Sequence, residues 1–138
     1  MIVVDSNVVS ELMKPAPAEV VRERVMAHKG ASLYTTSITL AEVRYGIERL
    51  PSGRRKKLLT ETAESVFSAF ENQVLPFDAS AAMRCASIVT IRESLGLHID
   101  GFDAQIASIC SARGAALCTR NVKDFRNTGI DVIDPWQA

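Results

Sequence analysis

Five short apolar runs, each separated from the next by one or two stretches with helical spacing, constrain this chain more than any other feature. The first, "IVV" at residues 2–4, is β-branched and unbroken by polar residues, the pattern of a strand buried on both faces. "SLYTT", "QVLPFD", "AALCT" and "IDVIDPW" supply the other four. Parallel neighbours need a crossover long enough to hold a helix, so strands interleaved with helices predict a parallel sheet. The expected class is α/β, with a central parallel sheet sandwiched between helices.

The intervening segments carry their own punctuation. "DSN" supplies turn and cap residues, and "SELMKPAPAEVVRERVMAHKG" reads as a helical turn, a break at Pro15 and Pro17, and an amphipathic helix closed by Gly30. Thr39 and Glu42 have capping-box spacing, which puts Glu42 in the first turn of a helix with Leu40, Val43 and Ile47 on one face. Pro51 and Gly53 separate it from a second helix, whose Leu59, Ala63, Val66 and Phe70 recur at helical spacing. "QVLPFD" reads as a strand ending at Asp78, and two further helices close at Gly96 and Gly114. "RNVKDF" is a tight connection or a short helix. No repeat or linker marks a second unit, so residues 1–138 read as one domain.

Composition narrows the function classes. Sixteen basic and sixteen acidic residues leave a net charge of zero, so a polyanion has to be held locally rather than by the overall field. No apolar run approaches a membrane span, and the first strand lacks the basic region and cleavage site of a signal peptide, so the cytoplasm is the expected compartment. Cys85, Cys110 and Cys118 are odd in number and widely spaced, and read as buried thiols; His28 and His98 stand alone. Any bound metal is therefore expected to be held by oxygen.

Three carboxylates sit at element ends: Asp5 after the first strand, Glu42 after the second, and Asp103 at the opening of the last long helix. The helix dipole favours an acid in the first turn, so Glu42 and Asp103, taken singly, have a capping explanation. Asp5 is harder to explain that way, because Ser6 or Asn7 could serve as the cap. In open α/β sheets ligands bind at the carboxyl ends of the strands. Three acids converging there would raise one another's pKa unless a hard divalent ion neutralised them. Mg2+ or Mn2+ suits such donors, and the implied chemistry is attack of water on a phosphodiester.

In this order, "VVDSNVVSEL", "SITLAEVRYGIERL", "IDGFDAQIAS" and "LCTRNVKDF…VIDPW" resemble the motifs of PIN-domain ribonucleases, specifically the VapC-type toxins of bacterial type II toxin–antitoxin pairs. The resemblance covers essentially the whole chain and implies a single PIN domain with Mg2+-dependent endoribonuclease activity, Mn2+ being the natural substitute. The family's metal-binding acids match Asp5, Glu42 and Asp103, and its fourth polar position matches Asn121. An amide is a weaker ligand than a carboxylate, so Asn121 is assigned to positioning water or to an outer contact. Asp124 is its rival, although an exposed helix-face acid is the simpler reading. Ser6, Asn7 and Thr119 are suited to hydrogen-bond the acids, and Asp100 reads as a helix cap. The run Arg54–Lys57, with Arg44, Arg84, Arg92 and Arg120, offers candidates for phosphate contact. Tyr45, Phe102 and Phe125 could stack on bases, but buried packing is the simpler reading. The partners implied by the resemblance are an RNA substrate, a cognate antitoxin that occludes the acidic site, operator DNA reached only through the antitoxin, and a second copy in a homodimer.

Two other readings compete. A catalytically weak PIN module, acting as an antitoxin-bound corepressor, draws on the missing charge at Asn121. A phosphatase with Asp5 as nucleophile draws on an acid after a strand, but "DSNVV" lacks the second acid of a DxD motif.

Overall fold

A computed structural model describes residues 1–28 and 32–137, and the helix end read at Gly30 lies outside them. Strands β1 (Ile2–Val4), β2 (Leu33–Thr36), β3 (Val74–Leu75), β4 (Ala116–Cys118) and β5 (Val132–Ile133) are all parallel, in the order β3-β2-β1-β4-β5. Around them lie α1 (Ser6–Leu12), α2 (Glu19–Met26), α3 (Ser37–Glu48), α4 (Arg54–Ser68), α5 (Ala79–Ser94) and α6 (Gly101–Arg113), with a 3-10 turn at Val122–Phe125. This is the α/β sandwich that the alternating pattern predicts.

Val3 and Val4 show why β1 had to be apolar throughout. Adjacent strand residues face opposite ways. Val4 packs with Val8, Val21, Leu33 and Phe70 on one face, and Val3 with Ile106, Ile109, Leu117 and Phe125 on the other. Both valines are fully buried.

The "QVLPFD" run yields only two strand residues. Pro76 has no N–H to give to a ladder, and Asp78 turns away to cap α5, its Oδ1 accepting the Ala81 N–H at 3.0 Å. Gly114 ends α6 in the left-handed region at φ 63°, and the Ala115 N–H donates back to the Cys110 carbonyl at 2.9 Å. That geometry brings the chain directly into β4.

The order of strands fixes where a ligand can sit. The chain moves outward from β1 through β2 to β3, then crosses to the other side of β1 to lay down β4 and β5. The reversal opens a crevice at the carboxyl ends of β1 and β4. Val4 pairs with Cys118 there, and the Asp5 N–H donates to the Cys118 carbonyl at 3.0 Å.

Candidate metal centre

Asp5 is the first residue beyond β1 and the N-cap of α1. Its Oδ1 accepts the Ser6 N–H at 2.8 Å, so the cap is Asp5 itself and neither Ser6 nor Asn7. Oδ2 accepts the Thr119 hydroxyl at 2.8 Å and, more loosely, the Asn7 amide at 3.4 Å. The Asn7 amide also donates to Thr119 Oγ1 at 3.0 Å, while its Oδ1 accepts the Arg120 N–H at 3.1 Å. Thr119 Oγ1 accepts the Asn121 N–H at 3.2 Å. Asn7 and Thr119 thus support the acid as the sequence suggested, and they tie the end of β1 to the end of β4. Burial raises the Asp5 pKa above the ordinary range, and the hydrogen bonds from Thr119 and Ser6 only partly offset it.

Glu42 differs from the capping-box expectation. The N-cap of α3 is Thr36, whose Oγ1 accepts the Thr39 N–H at 3.0 Å, so the helix starts earlier and Glu42 stands in its second turn. It caps nothing. Its buried Oε1 has no hydrogen-bond partner. Burial, then the negative charges of Asp5, Asp103 and Asp100, push its pKa up to about 7. Neither capping nor the helix dipole now accounts for this acid.

Asp103 lies in the first turn of α6, and Asp100 is the cap, accepting the Phe102 N–H at 3.0 Å. A first-turn position should lower a carboxyl pKa. Instead that of Asp103 rises to about 6, through burial and then the charges of Asp5, Asp100 and Asp124, with Arg92 pulling the other way. Asp124 is half-buried and its charge bears on both Asp5 and Asp103, which corrects the reading of an exposed helix-face acid. Asn121 is exposed.

Glu11 provides the contrast within the same molecule. This buried acid accepts the Ala18 N–H at 2.9 Å and pairs with Lys14 at 2.9 Å, which together hold its carboxyl below the ordinary range. A structural carboxylate here is paired and lowered. Glu42 and Asp103 are raised, chiefly by burial and then by Asp5 and other neighbouring acids.

The donor set is all oxygen, one buried oxygen lacks a partner, and Glu42 feels the charges of Asp5 and Asp103 while Asp103 feels that of Asp5. Such a cluster fits a hard divalent cation. Among the described residues no group of three or more His, Cys, Asp or Glu side chains is placed to hold a metal ion as it stands.

The remaining candidates divide. Arg54–Lys57 form the first turn of α4, where Lys56 donates to the Glu48 carbonyl at 2.9 Å. Arg44 lies 3.9 Å from Glu48 and 3.8 Å from Glu64, and the Arg120 guanidinium sits 4.6 Å from the Trp136 ring centroid. Arg92 is buried in the last turn of α5, away from any surface phosphate. Phe125 is buried as expected, but Tyr45 is 65% exposed and Phe102 49%, so packing does not explain them. Cys110 and Cys118 are buried, each pushed up to about 12 chiefly by burial, and Cys85 is half-buried. Neither Cys110 nor Cys118 is poised to react.

Sequence reasoning did not show the groove beside the site. A cavity of about 510 Å³ has Ser6 and Glu42 in its wall together with Met13, Lys14, Arg55 and Leu59. The last four also line a second cavity of about 710 Å³, which adjoins a third of about 230 Å³ through Leu12 and Val66. The result is a largely apolar trough running from Glu42 along α4 to Phe70.

A sequence model of the family described as PIN domain matches residues 2–130. The VapC ribonuclease Y4jK of Sinorhizobium fredii is 36% identical, over 99% of each chain. Among solved structures, FitAcB from Neisseria gonorrhoeae superposes with a TM-score of 0.92 at 32% identity over 100% of both chains. The DNA-bound VapBC of Salmonella typhimurium does so with a TM-score of 0.85 at 28% identity, over 97% of both.

Proposed function

The chain belongs to the PIN-domain family, and from that premise we propose that it is a VapC-type endoribonuclease, the toxin of a toxin–antitoxin pair, in which Asp5, Glu42 and Asp103 hold Mg2+ or Mn2+. The observation that carries the reading is Glu42: a buried carboxylate oxygen without a partner among the described residues, in a helix it does not cap, repelled by Asp5, Asp103 and Asp100. Such an arrangement costs stability unless a cation relieves it.

When bound, the ion supplies a more acidic water and neutralises charge developing on the phosphate. The chain's own residues prepare for this. Thr119 donates to Asp5 Oδ2 and fixes its carboxylate while Ser6 holds the other oxygen. Glu42 and Asp103 keep their protons further up the pH scale than ordinary acids, and would give them up in order to hold the ion. Asp124 adds negative charge beside the uncharged Asn121, and that charge bears on Asp5 and Asp103.

The trough beside Glu42 is the proposed seat of the antitoxin. An extended segment with apolar side chains fits its walls, and a cationic side chain at the Glu42 end would complement the acids. Operator DNA is then reached through the antitoxin, and a second copy of the chain covers the outer face of α5. Among the described residues no helix is long and apolar enough to cross a membrane.

The test is cleavage of total RNA by the purified chain in Mg2+, with EDTA and with Asp5→Asn as controls. We expect cleavage that EDTA abolishes and that Asp5→Asn lowers by more than about 100-fold, beyond the cost of losing a mere outer-shell contact. Cleavage indifferent to both would overturn the reading.

A further inference from the structure

Arg92 is 4% exposed, yet among the described residues it has no acid within ion-pairing distance. Burying an unpaired guanidinium is costly, so its contacts need an explanation. It donates through one terminal nitrogen to the His98 carbonyl at 2.5 Å and through the other to the Arg126 carbonyl at 2.6 Å; its Nε has no partner. Those two carbonyls belong to different segments. His98 lies two residues before Asp100, which caps the helix bearing Asp103. Arg126 immediately follows the 3-10 turn that bears Asp124, which itself begins at Asn121.

We propose that Arg92 is a positioning residue for the metal centre: its guanidinium braces the start of α6 against the 3-10 turn and so sets the separation of the two acid-bearing segments. The inference rests on the metal-nuclease reading above. A guanidinium aims a separate nitrogen of a fixed fork at each carbonyl, whereas an ammonium would have to make both bonds from one nitrogen. The guanidinium also places a resident positive charge behind a pocket that is otherwise acidic, and its influence reaches Asp103. No carboxylate neutralises it locally, so the acidic pocket is its counter-charge.

Two variants separate bracing from ordinary folding. Arg92→Lys keeps the charge and an aliphatic stem but offers one donor nitrogen in place of the two that now reach the carbonyls. Arg92→Ala leaves a hole that ethylguanidinium, added at low concentration, can fill. The primary readout is Mn2+ affinity of the folded protein, measured by the free-ion EPR signal, alongside the melting temperature without metal. We expect Arg92→Lys to bind Mn2+ about 10- to 100-fold more weakly, the usual cost of losing support behind a metal ligand. Ethylguanidinium should recover part of that loss in Arg92→Ala. In cleavage assays the KM for RNA at saturating Mn2+ should stay unchanged, because Arg92 does not reach the surface.

A residue important only to the fold would lower the melting temperature and leave the Mn2+ affinity of the folded fraction as it was; that result overturns the proposal. So does failure of both variants to fold even with ethylguanidinium. If the unmodified chain takes up no Mn2+, the inference falls together with the metal reading, whereas equal affinity in wild type and Arg92→Lys sinks the inference alone.

Discussion

Asp5 divides its carboxylate between two duties, one oxygen capping α1 and the other accepting from Thr119. Its neighbours Glu42 and Asp103 have no such support from neutral donors, and the difference sets a pH dependence. In the unfolded chain these acids ionise near 4.5 and 3.8; in the folded chain they hold their protons to about 7 and about 6. Between those limits the unfolded chain is the more ionised, so metal-free stability should fall as pH rises from about 4 to about 7 and level off above. Melts in EDTA at pH 5 and pH 8 check the sign. The pH 8 protein should melt lower, added Mn2+ should restore it, and Asp103→Asn should melt higher than wild type at pH 8 while losing RNA cleavage. A melting temperature that climbs with pH in EDTA would contradict the crowding of these acids. Asp5 and Asp103 stood out in the sequence because one follows a strand and the other lies in a helix's first turn, whereas Glu42 was singled out by a capping-box spacing that the structure overturns. The role of Arg92 was not legible there, since one arginine in a helical pattern looks the same whether it faces solvent or two carbonyls.

At the scale of elements, the start of α3 was misplaced for a reason the sheet supplies. Two patterns compete, Thr36-x-x-Thr39 and Thr39-x-x-Glu42, and local spacing alone favours the second. Pairing of Thr36 with Leu75 in β3 holds Thr36 extended at φ −123° and ψ 157°, the conformation an N-cap needs, so the first pattern prevails. A long-range pairing decided a local question. Thr36→Ala should therefore cost about 1 kcal/mol of stability, as lost caps do, read as a lower urea midpoint with an unchanged slope. An unchanged midpoint would mean the cap contributes nothing. The exposure of Tyr45 could have been anticipated: it lies two residues from both Val43 and Ile47, which are buried, and so turns to the opposite side of the helix. The short β3 could have been anticipated from Pro76. The trough along α4 could not, because its walls come from segments distant in sequence.

For the whole molecule, the doubly wound order explains why acids from three parts of the chain meet at one edge, and the class was readable from alternation alone. Assembly was less readable. Met83 is 77% exposed on α5, and Ile91, two turns further along, and Leu95, the C-cap, are 52% and 54% exposed. Apolar stripes of that kind mark contact surfaces. Replacing Ile91 and Leu95 together with Glu should convert a dimer to a monomer in light scattering, with the monomer's stability changed by no more than about 0.5 kcal/mol per site, as at ordinary surface positions. A variant that stays dimeric would move the interface elsewhere. The central place of β1 also bears on synthesis. The hydroxyl that orients Asp5 belongs to a residue 114 positions later, and parallel pairings across such separations form late, because a long loop must close first. A ribosome making this chain therefore releases Asp5 early and its anchor at Thr119 only after β4 has been translated. Until then the nascent polypeptide has the acids but lacks the hydroxyl that orients Asp5.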